Sequence, residues 1–384
     1  MNEIRVRRLL AAASGAVTAL ALTLVPGGAA QAADDTVEVL VKNLDSPRGL
    51  SFGPDGTLYI AESGHGGKIK CAAPPALPGE KPEKMCFGLT GQVSTLKDGK
   101  SSVLIDGLPS AASGPFALGP HDVALTAKGD LLVTIGFSGD TAFRAKLGPK
   151  ARGLGTLLTL SKKGRQVSVA DLAAHETKHN PDRKDKGSMV DSYPFGVAAL
   201  PGGGALVTDT GGNSVLRVGK KGGVSTEVVF HARSVAAPPL LKMPKGSKIP
   251  MQSVPMGIVA GPDGAHYVAE HGGFPNPEGM ARVFRLKNGK VTTAAKGFTT
   301  VADVAFDAQG RLVVLGSVGP LPADGMSKSA VYRIESDGSR TEILKPGTLV
   351  SPLSVAVGPD GAVYVSNKAM APGKGEVLRV PVSD

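Results

Sequence analysis

One pattern recurs six times along this chain, and few architectures accommodate it. Each copy has a start that usually contains Pro, an alternating apolar strand, a Gly-containing turn and a second apolar strand ending in polar residues. The copies begin at Pro47, Pro120, Pro194, Pro255, Ala302 and Pro352. The first reads Pro47-Arg48-Gly49-Leu50, turns at Pro54-Asp55-Gly56 and continues Leu58-Tyr59-Ile60-Ala61-Glu62. Two further alternating stretches follow each copy but the last, joined at charged or Gly turns such as Asp98-Gly99 and Asn288-Gly289. Both residues of such turns tolerate positive φ, so each pair of stretches reads as a hairpin. Four short antiparallel strands per repeat, A to D, define an all-β, six-bladed β-propeller of four-stranded blades.

The ends of the sequence show how the ring closes. The last repeat stops after its third strand, Val377-Leu378-Arg379-Val380. Val37-Glu38-Val39-Leu40-Val41 stands before the first repeat with no unit of its own. The N-terminal strand is expected to join the last blade, which removes two exposed sheet edges.

Residues 1–32 read as an export signal. Arg5, Arg7 and Arg8 precede an apolar run from Leu9 to Val25, and Ala30-Gln31-Ala32 has the small-residue pattern of a cleavage site. The run is short for a membrane span, and no later segment is apolar enough for one. The polar residues that usually precede a twin-arginine pair are missing, which favours the general secretory route. The expected layout is a signal peptide, 1–32, and one propeller domain, 33–384. Secretion follows, and with it an oxidising environment. Cys71 and Cys86 bracket a loop rich in Pro and Gly, and are expected to bridge.

The signal segment carries three Arg and one Glu, so +8 of the net +10 belongs to the mature chain. The basic residues sit at turn tips such as Lys162-Lys163-Gly164-Arg165 without interleaved aromatics. This is a solvated surface, not a nucleic-acid face. It allows weak association with an anionic cell envelope. Nothing in the pattern calls for an oligomer.

Long insertions fall only in the B–C connections (63–90 and 136–153) and the D–A connections (175–192 and 231–253). In a meander these project from one face, so binding is expected there. Polar residues at the strand ends of that face form the candidate ligand site. Arg48, His121, Asp122 and Asp303 begin A strands. Glu62, Asp209 and Glu270 end B strands, followed by His65, Asn213 and His271, with Asn367 at the equivalent place in the last repeat. Such oxygen-rich strand ends suit a hard cation, with Ca²⁺ the natural candidate, although no tight ligand spacing marks a metal site.

His175-Glu176-Thr177-Lys178-His179 matches the zinc-protease pattern. A charged Lys178 replaces the usual apolar residue, and Asn180-Pro181 ends any helix at once. The match reads as chance on a surface helical turn starting near Asp171. There is no Gly-x-Ser-x-Gly elbow and no phosphate-binding Gly loop.

Several segments resemble the ScyD/ScyE family of exported bacterial propeller proteins. They are Asp171-Leu172-Ala173-Ala174 with Glu176, Asn180-Pro181-Asp182, Asp191-Ser192-Tyr193-Pro194-Phe195-Gly196 and Asp209-Thr210-Gly211-Gly212-Asn213, with the opening Leu44-Asp45-Ser46-Pro47-Arg48-Gly49-Leu50. His175 and His179 depart from that pattern. The 209–213 segment is also similar to NHL-repeat proteins, which often bind partners. Gly129 to Gly136 is distantly similar to soluble quinone-dependent sugar dehydrogenases, without their His-rich cofactor motif. The resemblance implies an exported binding propeller and brings no activity with it. The expected function is binding of an extracellular small molecule or protein partner on the insertion-bearing face. The alternative is a metal- or quinone-dependent extracellular hydrolase, lyase or oxidoreductase using that face.

Overall fold

The computed structural model describes residues 37–75, 82–322 and 327–382. The proposed signal peptide and the tip of the 71–86 loop lie outside these residues. The chain forms an all-β ring of six four-stranded antiparallel blades. The A strands are Pro47–Phe52, Pro120–Leu125, Pro194–Ala199, Pro255–Ala260, Thr300–Phe306 and Ser354–Val357. Blade 6 is completed by Glu38–Leu44, which pairs with Gly375–Val380 through Val39 with Leu378 and Leu44 with Gly375. The N-terminal strand thus closes the ring.

Burial follows position in the blade. The B strand of blade 3, Ala205–Asp209, is buried at every residue, because neighbouring blades cover both its faces. The outermost strand of blade 2, Gln166–Asp171, is largely exposed. Cores form between blades: Leu132 and Leu157 of blade 2 pack with Val207 and Leu216 of blade 3. The A–B turns repeat one device. In blade 1 the Asp55 side chain accepts from the Thr57 N–H while Gly56 takes φ +77°. Asp263 and Asp360 do the same in blades 4 and 6.

Two insertions contain more strand than the sequence pattern suggested. In blade 1, strands C and D run long, Met85–Lys97 and Lys100–Ser113, and rise beyond the blade. Lys70–Ala72 and Phe116–Leu118 flank this extension. Cys71 lies opposite Cys86 and is bridged to it, so the cross-link ties a short strand to this hairpin, with Phe87 fully buried beside it. The connection between blades 3 and 4 folds as a hairpin of Arg233–Ala236 and Lys248–Met251.

Two short helices complete the elaborated face. α1 (Thr141–Lys146) is capped by Asp140, which accepts from the Phe143 N–H. α2 (Leu172–His179) is capped by Asp171 and stopped by Asn180 in the left-handed conformation. The insertions interlock: the Thr141 N–H donates to Thr177 Oγ1, and the Ala232 N–H donates to Asp185. No helix of the described residues is long and apolar enough to cross a membrane.

Candidate functional site

The strand-A starts bring Arg48 and His121 together at the inner edge of the insertion-bearing face. Arg48 is buried, 2% exposed. Its Nη2 donates to the Ala117 carbonyl at 2.7 Å and its Nε to Ser63 Oγ at 3.1 Å. Its Nη1 donates to the thioether of Met370, at 3.4 Å. Among the described residues no carboxylate pairs with this guanidinium. Burial lowers its proton affinity, partly offset by Tyr193.

His121 is fully buried beside it. Its Nδ1 lies 2.8 Å from the Gly119 carbonyl, which can only accept, so Nδ1 carries the proton. Nε2 then accepts from the Tyr193 hydroxyl at 3.0 Å. The ring meets Tyr193 and Phe195 edge to face. Gly136 permits this placement, since a side chain there would collide with the imidazole. Burial first, then Arg48, holds the His121 pKa down to about 3. Burial holds that of Tyr193 up to about 12.

Asp122 and Asp303 stitch blades together. Asp122 accepts from the N–H groups of Val123 and Val197, reaching from blade 2 to blade 3. Asp303 accepts from Val304 N–H, Ser354 Oγ and Val355 N–H, reaching from blade 5 to blade 6. Gly49 and Gly257 make room, because a Cβ at either would strike the aspartate of the next blade. Burial, then mutual repulsion with Asp303, raises the pKa of Asp122 well above the carboxylate range. Burial lifts Asp303 to about 6.

The strand-B residues behave as latches on the incoming chain. Glu62 accepts from the Asp45 N–H, Gln92 and Ser94. Asp209 accepts from the Tyr193 N–H and Ser192 Oγ. Asn367 accepts from the Val350 N–H. Glu270 accepts from Ser253, Arg233 and Arg282, and burial still raises its pKa. Asn213 donates to Asp182 and Gln252 and accepts from the Val254 N–H. These side chains are buried and satisfied within the fold. Along the chain they look like open polar groups around one site; the structure distributes them over separate blade edges. His65 is exposed and pairs with Asp45. His271 is half-buried and contacts the Gly272 carbonyl.

Sequence reasoning missed Tyr193 and Met370. Tyr193 sits within the quoted 191–196 segment and had a signal; Met370 had none. The zinc-protease match fails on geometry. His175 bonds Thr226 Oγ1 and packs against His179, whereas Glu176 is 1% exposed and turns toward Gly212. Among the described residues no three His, Cys, Asp or Glu side chains form a group that could hold a metal. A shallow cleft lined by Phe230, His231, Arg282 and Phe284 lies between blades 3 and 4, apart from the Arg48 cluster.

No protein-family model matches the chain, and no curated protein matches it. Solved structures do. A glucose dehydrogenase is 16% identical with TM-score 0.52, over 91% of this chain and 100% of that one. A Bacteroides thetaiotaomicron protein of unknown function is 8% identical with TM-score 0.53, over 90% and 75%. A streptogramin B lyase is 16% identical with TM-score 0.47, over 90% and 97%. What is shared is the propeller fold. At such identities the likeness says nothing of the reaction.

Proposed function

We propose that this chain is an exported binding propeller of the ScyD/ScyE type, taking an extracellular, negatively charged small molecule at the Arg48–His121–Tyr193 cluster. One observation carries the reading. Among the described residues Arg48 is a buried cation without an acidic partner, and its Nη1 donates only to a thioether, a weak acceptor. A buried charge is normally paired, and a ligand carboxylate would supply the bidentate partner that guanidinium geometry favours. Met370 is the side chain that would move aside. His121 stays neutral and Tyr193 stays protonated near pH 7. They suit hydrogen-bonded recognition better than general acid–base work, which favours a pKa near the working pH.

Export rests on the basic and apolar pattern of residues 1–32, and the Cys71–Cys86 bridge agrees with it. The second reading is an extracellular enzyme. It is favoured by Asp122 and Asp303, two interacting carboxyls with raised proton affinity.

Calorimetry against a panel of small carboxylates, phosphate esters and neutral sugars tests the proposal. Acids should bind, Met370→Ala should retain them, and Arg48→Lys should weaken them by about tenfold or more, since lysine lacks the planar fork. Preference for neutral sugars, or undiminished acid binding by a folded Arg48→Lys protein, would overturn it.

A further inference from the structure

Each A strand touches the next at one level of the ring. Gly49 of blade 1 lies against Asp122 of blade 2, whose carboxylate accepts from the Val197 N–H of blade 3. Gly196 lies against the Met256 carbonyl of blade 4, and Gly257 against Asp303 of blade 5. Asp303 accepts from the Val355 N–H of blade 6, and Ser354 Oγ accepts from the Leu50 N–H of blade 1. These contacts form a closed girdle around the axis. One residue nearer the insertion-bearing face, the same strands carry Arg48, His121, Phe195, Met256, Ala302 and Leu353. In the first five blades the pairing of strands A and B slips at this residue. Ladder partners skip from Pro47 to Leu50, Pro120 to Asp122, Pro194 to Val197, Pro255 to Ile258 and Val301 to Asp303. Such bulges re-aim side chains and gather next to binding sites.

The ring has two chemically different sides. Blades 1 and 2 give it Arg48 and His121, whereas blades 3 to 6 give it only apolar side chains. None of the six is an acid. Phe195, Met256 and Ala302 belong to one hydrophobic cluster, and Leu353 and Tyr193 pack against it. The His121 ring lies 5.1 Å from that of Tyr193 and 5.2 Å from that of Phe195, so the polar and apolar sides touch. Phe195, Met256 and Ala302 keep 5%, 8% and 7% exposure, while Val207, Val268 and Val314 in the adjoining B strands have 0%. The apolar side therefore borders space that solvent reaches. A small inorganic anion would satisfy Arg48 and leave that side wet. A molecule with a carboxylate at one end and hydrocarbon at the other meets both.

We propose that the site takes an amphipathic carboxylic acid, with its carboxylate on Arg48 and its hydrocarbon along Phe195, Met256, Ala302 and Leu353. The assignment rests on the Arg48 reading and names the class of acid. A guanidinium favours a carboxylate geometrically, and each methylene withdrawn from water adds affinity. An acid held by Arg48 alone would gain nothing from a longer tail.

The test is calorimetry of the full chain with butanoate, hexanoate and octanoate at fixed ionic strength. Affinity should rise about fourfold for each methylene buried, and by about tenfold or more from butanoate to octanoate. Octylammonium has the same tail and the opposite charge, and should bind about tenfold or more weakly than octanoate. Met256→Gln keeps the length of the side chain and makes it polar. It should weaken octanoate by about tenfold or more and flatten the series, because the tail would then cover an amide without a partner. If Met256→Gln fails to fold, Leu353→Gln is read in the same way. Equal binding of the three acids would overturn the amphipathic assignment and leave the Arg48 reading standing. An undiminished series in the folded variant would place the hydrocarbon elsewhere and overturn it too. Failure of every acid to bind, or octylammonium binding as tightly as octanoate, would remove both readings.

Discussion

His121 Nε2 accepts a hydrogen bond from the Tyr193 hydroxyl at 3.0 Å, joining the first strand of blade 2 to the chain entering blade 3. Because the Gly119 carbonyl fixes the His121 proton on Nδ1, the phenol is the donor available to Nε2. Tyr193→Phe should therefore leave a buried nitrogen unsatisfied and cost about 1–3 kcal/mol. Urea denaturation of the two proteins measures this. Equal midpoints would show that Nε2 finds another donor.

Ring closure gives a second expectation. Val41 and Leu44 of the N-terminal strand are buried against blade 6. A chain lacking residues 37–44 loses that packing and exposes the edge of Gly375–Val380. Its melting temperature should fall and its tendency to associate should rise. Scanning calorimetry with light scattering reads both, and an unchanged monomeric transition would refute the closure argument.

The Cys71–Cys86 bridge closes a loop of sequence separation 15. Loop-closure entropy assigns this about 3 kcal/mol at most. Thiol titration of the unreduced, denatured protein should find none free. Reduction should shift the urea midpoint downward, with new exchange of amides first in 70–87. A midpoint insensitive to reduction would mean that the loop opens without consequence for the ring.

The ring was legible in the sequence because the repeat is written in local signals: Asp-Gly turns, alternation and an orphan first strand. Disulfide pairing was legible because the chain holds two cysteines, at either end of one loop. The site was less so. Glu62, Asp209 and Asn367 look like open polar groups when read along the chain. Their partners are backbone N–H groups on the chain entering the same blade, at Asp45, Tyr193 and Val350. Asp303 likewise serves Val355 of the next blade. Strand alternation shows which residues end a strand, not which backbone groups those side chains will reach. Alanine at such positions removes acceptors that buried backbone donors rely on. Asp303→Ala would strand buried donors, and should lower the melting temperature by several degrees. Glu176 was visible as part of a protease-like pattern and of the family resemblance, and neither gave it this place. Its importance arises from which way α2 faces, and periodicity over eight residues left that undecided.

The acid cluster makes a signed prediction about pH. Glu176 faces Asp182, Asp191 and Asp209, with Asp185 and His231 next to Asp182. Its folded pKa of about 9 lies above that of an unfolded glutamate, about 4.3. The folded protein thus binds this proton more tightly than the unfolded chain does. The stabilisation is fully present below about pH 4 and is lost as pH rises toward 9. Asp191 and Asp209 act in the same direction over a narrower window that closes near pH 6. His121 acts oppositely, because its folded pKa of about 3 lies below that of a free imidazole. Its contribution is present above about pH 6.5 and is lost as pH falls. Glu176→Gln isolates the first effect, since glutamine has the shape of the protonated acid and does not titrate. The two proteins should melt close together at pH 5, and the variant should melt progressively higher than wild type as pH approaches 9. A difference in melting temperature that stays constant from pH 5 to 9 would show that Glu176 does not hold its proton, and would remove the electrostatic basis of the cluster.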